Sequence, residues 1–204
     1  MLETRAGRMA CLRQVAALAA LVTVAACVAT YVVTPPPLEP AAARAPVAVL
    51  DHGRHSSLVI GLPDGRMVRY AYGDWRWYAE GDTGVAQGYA ALFRETPSAL
   101  GRRVLAGPLT TETLRRQVRV GIEDMLLLDV DAAAAQRLID ELDGIAESGR
   151  ARMLTNQDVD LDFFPYPVPY TEAHSSNRVL AGWLREMGAE VEGDGLIADW
   201  KRRR

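Results

Sequence analysis

The sequence predicts an α+β domain behind an N-terminal membrane segment, and three observations carry that reading. An uncharged, apolar run fills residues 14–34. Short strand-like runs separated by turn signals follow between residues 47 and 130. Two amphipathic stripes at helical spacing occupy residues 131–147 and 175–187. Strands and helices in separate blocks favour α+β over a doubly wound sheet. The 204 residues suffice for one domain with an appendage, and 24% charged with 49% hydrophobic residues argues against a disordered chain. The formal net charge of −3 lacks the basic excess of a nucleic-acid binder. The tail Lys201-Arg202-Arg203-Arg204 reads as a solvated end.

Arg5, Arg8 and Arg13 precede the apolar run, and no further arginine occurs until Arg44. A helix from Val15 to Val33 would be ~28 Å long, near the ~30 Å hydrocarbon core. The arginine bias puts the N-terminus in the cytoplasm and the rest of the chain, in a bacterium, in the periplasm. The expected location is therefore the bacterial inner membrane, single-pass. An alternative is a lipoprotein: Val24-Ala25-Ala26-Cys27 resembles a lipobox, with lipid on Cys27 as the membrane link. An ordinary cleaved signal peptide is the third reading. Residues 1–34 are thus read as anchor or signal, the proline- and alanine-rich residues 35–46 as a semi-rigid linker, and residues 47–204 as the globular domain. The only cysteines, Cys11 and Cys27, precede that domain, which excludes a disulfide, a zinc–thiolate site and a cysteine nucleophile within it.

Within the domain, Val47 to Leu50 and Ser57 to Leu62 read as strands. Pro63-Asp64-Gly65 reads as a turn, and Arg66 to Tyr72 as the returning strand of a hairpin. Gly84 to Arg94 is a helix candidate and Thr96 to Gly101 a loop. Arg103 to Leu105 and Met125 to Val130 are strands, and Leu114 to Ile122 fits either type. Ala135, Leu138, Ile139, Leu142, Ile145 and Ala146 define a helix from Asp131 to about Glu147. Three prolines make Leu161 to Tyr170 loop-like or extended. Val179, Leu180, Trp183, Leu184 and Met187 define a last helix from about Ser175, with Gly188 as its C′ residue.

The polar residues suited to chemistry gather in two places. His52 and His55 lie at the hairpin entry, and His174, Ser175, Ser176 and Asn177 lie at the start of the last helix. A serine there gains free backbone N–H groups and the positive end of the helix dipole, and a strand-borne histidine opposite could serve as base. Each residue also has a structural reading. His55 fits a hydrogen-bonded core histidine, and Ser175 and Ser176 fit helix caps. Asp74 fits a turn aspartate, and Tyr72, Trp75 and Trp77 fit core aromatics. His52, three residues from His55, points to the opposite face if the strand is continuous.

These segments carry a resemblance. The run His55 to Arg66 is similar to the "H-x-G-I-x-hydrophobic-G-D-G" hairpin of circularly permuted, papain-like NlpC-type proteins, in the branch of the lecithin:retinol acyltransferase-like enzymes. His174 to Leu184 resembles the "C-N-x-W-V-A-x-x-L" segment of a bacterial membrane-associated family of unknown function. Asp51 to Ser57 and Ala71 to Tyr78 resemble that family's "H-x-W-H-T-G" and "G-W-G-D-x-x-F-Y" blocks. The resemblance implies a permuted papain-like fold with an antiparallel sheet packed on the last helix. It also implies catalytic roles for Ser176, His55 and Asp74, and a substrate groove using Tyr72, Trp75, Trp77, Asn177 and His174. The family's cysteine position falls on Ser176, and a serine hydroxyl does not ionise as a thiol does. The expected function is therefore a catalytically degenerate, membrane-tethered domain that binds an envelope peptide, glycan or lipid. An active serine amidase, esterase or acyltransferase is the alternative. A zinc site built from His52, His55, His174 and Asp51 or Asp74 is the third reading, and no cofactor is expected. No G-x-S-x-G elbow, H-E-x-x-H helix or glycine-rich phosphate loop occurs.

Overall fold

The computed structural model describes residues 28–53, 55–84, 94–195 and 197–203. Its centre is a seven-stranded antiparallel sheet in the order β6-β2-β3-β4-β5-β8-β7. The strands are β2 (Arg44–Asp51), β3 (Ser56–Gly61), β4 (Met67–Asp74), β5 (Thr96–Leu105), β6 (Asp124–Asp131), β7 (Leu154–Asn156) and β8 (Leu161–Tyr170). A second, three-stranded sheet has β1 (Val28–Thr34) at its centre. It pairs parallel with β10 (Ile197–Arg202) and antiparallel with β9 (Glu190–Glu192). The helices are α1 (Thr111–Gln117), α2 (Ala132–Gly149) and α3 (Ser176–Glu186). The fold is thus α+β with a mainly antiparallel sheet.

The local signals act as physical chemistry requires. Gly65 takes φ +82°, so Pro63-Asp64-Gly65 closes the β3–β4 hairpin. The Asp131 carboxylate accepts the Ala134 N–H and starts α2. Gly188, at φ +89°, ends the α3 region. The two faces of the large sheet are covered differently. Leu58, Ile60, Val68, Tyr70 and Tyr72 share one core with Leu138 and Leu142 of α2 and with Val179, Leu180, Trp183 and Leu184 of α3. Val59 and Met67 face the other way, onto Leu114 of α1. Ala71, Ala99 and Phe163 lie on that same second face, under Ala79 of a π-helical turn at Trp75–Ala79.

Three expectations need correction. Val28–Thr34 is a strand of the folded domain, not the end of a membrane helix. Its Tyr31 and Val33 are fully buried, and Tyr31 stacks on Trp200 at 4.5 Å. A Val/Ala/Thr/Tyr run suits a strand as well as a helix, and a partner strand decided the matter. Among the described residues no helix is long and apolar enough to cross a membrane. Residues 1–27, including the rest of the expected anchor and Cys27, lie outside the described residues. The segment expected to link membrane and domain instead connects β1 to β2 inside the domain. Thr96 to Gly101 is not a loop but the first half of β5, paired with β4 and β8. Leu114 to Ile122 is helical only to Gln117. Most of the Gly84 to Arg94 helix candidate lies outside the described residues. The proline-rich Leu161 to Tyr170 is extended, as β8.

Candidate functional site

The connection between β2 and β3 decides where the histidines go. Gly53 takes φ +91°, and the His52 N–H bonds back to the His55 carbonyl at 3.0 Å. His52 and His55 therefore lie between β2, which ends at Asp51, and β3, which starts at Ser56, and not on one continuous strand. The alternation that would send His52 and His55 to opposite faces does not apply. Their rings lie 5.1 Å apart, on the α1 side of the sheet. The His55 ring meets the Tyr78 ring edge-on at 5.1 Å, and Tyr78 stacks on Phe163. Gly73 makes room for this arrangement, because a Cβ there would sit 2.2 Å from the Tyr78 ring.

His52 is locked. Its Nδ1 lies 2.8 Å from the Gly121 carbonyl, which can only accept, so Nδ1 carries the proton. Its bare Nε2 accepts from the Ser57 hydroxyl at 2.9 Å and from Arg69 Nη2 at 3.3 Å. Arg69, 1% exposed in the middle of β4, also donates to Ser57 Oγ and to the Val159 carbonyl. Burial lowers the Arg69 pKa to about 10, and nearby Asp160, itself paired with Arg103, partly offsets this. Burial, then the Arg69 cation, push His52 down to about 4. Burial, then His52, then Arg69, push His55 down to about 3. Both imidazoles are neutral at pH 7. Among the described residues the His55 ring nitrogens have no hydrogen-bond partner.

These residues floor a cleft of about 540 Å³. Its lining includes His52, His55, Trp77, Tyr78, Glu123 and Asp158, with Asn156 and Val159 at the side. Asn156 is held by the Tyr78 carbonyl. Of the expected site residues, only Trp77 joins His55 here.

Ser176 lies elsewhere. It is the first residue of α3, which packs on the opposite face of the sheet. Its hydroxyl and N–H face the Tyr170 phenol. Burial raises the Tyr170 pKa, and hydrogen bonding from Ser176 opposes the rise. Tyr170 in turn stacks on Tyr72. The structure therefore does not bring Ser176 and His55 together; the sheet stands between them. The histidine near Ser176 is His174, and its Nδ1 is engaged by the Tyr72 hydroxyl at 2.7 Å. His174, like Tyr72, is thus on the α3 side, away from the cleft. This separation also divides the zinc set proposed from His52, His55 and His174, and among the described residues no group of three metal-binding side chains assembles.

Asp74 holds the π-helical turn. Its carboxylate accepts the Trp77 N–H at 2.8 Å and the Thr96 hydroxyl. These two bonds are those of an aspartate that caps a turn. Trp75 donates to Glu80 and packs beside the Phe163 cluster. Asn177 is fully buried in the first turn of α3. Ser175 occupies the cap position, but its side chain makes no capping bond. Among the described residues its buried Oγ has no partner.

Arg69, Glu123, Asn156 and Asp158 escaped the sequence reading. One signal was available for Arg69: an arginine at the centre of an otherwise apolar strand needs buried polar company. The others come together only through contacts between segments far apart in the chain. No protein-family model matches the chain, and no curated protein or solved structure matches it significantly.

Proposed function

We propose that this is a non-catalytic binding domain of the bacterial cell envelope, with the His52/His55 cleft as its ligand site. The observation that supports it is the placement of Ser176 and His55 on opposite faces of the sheet. A serine needs an aligned base within hydrogen-bond reach to attack a carbonyl. Ser176 faces a phenol instead, and the histidine nearest it is held by Tyr72. The Ser57–His52 contact offers no substitute: Ser57 is 0% exposed and its oxygen already accepts from Arg69. The test is exposure of the full-length protein to a fluorophosphonate and a β-lactone, read by intact mass. No adduct is expected. A single adduct mapping to Ser176, absent from Ser176→Ala, would overturn the binding-domain reading and restore the serine hydrolase.

The tether proposed for the domain is lipid on Cys27. With Val28–Thr34 in the sheet, the apolar run upstream from Val15 to Cys27 would make a helix of only ~20 Å, short of the ~30 Å core. A run of that length suits the apolar core of a signal peptide. The mass of the protein extracted from membranes checks it. A diacylglyceryl-modified chain beginning at Cys27 is expected, and an unmodified chain retaining Met1 or Leu2 would count against it.

A further inference from the structure

The side chains around the cleft select one kind of ligand group, on the reading that this cleft is the binding site. Its two histidines are uncharged at pH 7. Its carboxylates, Glu123 and Asp158, have no cationic partner among the described residues. Glu123 is seated over Gly53: a Cβ at Gly53 would lie 2.6 Å from its Oε1. The Gly53 N–H is already taken by Asp51. Asp51 lies near enough for the Glu123 charge to add to burial in raising its pKa, against the Gly53 hydrogen bond that lowers it. Arg69 does not offset these carboxylates from within the cleft, because its guanidinium is engaged behind His52 and Ser57. Trp77 and Tyr78 add aromatic rings to the same lining. A carboxylate or phosphate entering here would meet two like charges. A metal ion would find no three-ligand cluster among the described residues.

The geometry points to a primary ammonium group as the ligand, held by the Glu123 and Asp158 carboxylates against the Trp77 and Tyr78 rings, with a His55 ring nitrogen accepting one of its hydrogens. Carboxylates supply the counter-charge, aromatic rings attract a cation through their quadrupole, and the neutral imidazole offers a lone pair. A lysine-type side chain and an amino sugar both present this group.

The test uses the full-length chain in detergent micelles, labelled with ¹⁵N-tryptophan and titrated with lysine amide, glucosamine and Nα,Nε-diacetyl-lysine amide. The Trp77 indole resonance, assigned through Trp77→Phe, is expected to shift saturably with an amine and not with the acetylated probe. Response to lysine amide alone assigns a peptide side chain, and response to glucosamine alone an amino sugar. Glu123→Gln and Asp158→Asn, both at exposed positions, are each expected to weaken binding about fivefold. An equal response to the acetylated probe would overturn the ammonium assignment while leaving a binding cleft. No response to either amine would overturn it as well, and the Ser176 adduct experiment then judges the binding-domain reading separately.

Discussion

A chain that begins at Pro35 is expected to lose most of its stability, whereas a chain that begins at Val28 keeps that of the full-length protein. The cause is the position of β1 at the centre of the small sheet. Without it, β9 and β10 have no partner in common. Tyr31 and Val33 leave the core, the stacking partner of Trp200 is gone, and the Tyr31 hydroxyl no longer donates to the Gly195 carbonyl at 2.8 Å. Trp200 also donates to Ser56 on β3, so the damage reaches the large sheet. Full burial of a large apolar side chain contributes about 1.5–3 kcal/mol, so three together approach the whole net stability of a domain, about 5–15 kcal/mol. Urea unfolding followed by far-UV circular dichroism measures the difference. Equal midpoints for the two chains would mean that Val28–Thr34 is not part of the folded unit.

Acid should destabilise the domain through its histidine pair. In the unfolded chain both imidazoles protonate near pH 6.5, whereas folding holds them neutral to about 4 for His52 and about 3 for His55. Between those values the unfolded state binds more protons, so stability rises with pH. The contribution is fully present above about pH 6.5. It shrinks as the pH falls through 6.5 towards 4, and levels off below the folded values. Its total is on the order of a few kcal/mol. The physical origin is specific. Protonated His52 would put an Nε2 proton against Arg69 and against a Ser57 oxygen that already accepts from that arginine. Its charge would also stand 5.1 Å from the His55 ring. Unfolding midpoints at pH 7 and pH 4.5 measure the loss. The double variant His52→Gln, His55→Gln should show a flatter slope across that interval. An unchanged slope would place the acid sensitivity elsewhere.

Local patterns carried much of the fold. The β3–β4 hairpin was legible because Pro63-Asp64-Gly65 has one low-energy way to turn, and α2 and α3 because their apolar residues recur at the helical period. The α+β class followed from the same blocks. The candidate site was legible only in part. His55 and Trp77 were named and do line one cleft, but Ser176, Asp74 and His174 were joined to them through a resemblance of short motifs, and such motifs do not say which side of a sheet a residue takes.

What the sequence by itself determined were features set within a few residues: the turn, the helical stripes, and the absence of cysteine from the domain. Only the tertiary structure decided the rest. One residue at positive φ, Gly53, turned both histidines to the side away from α3. A strand more than 160 residues away, β10, drew Val28–Thr34 into a sheet. In both cases the local chain had two conformations of similar cost, and the difference was supplied by partners that proximity in sequence does not reveal.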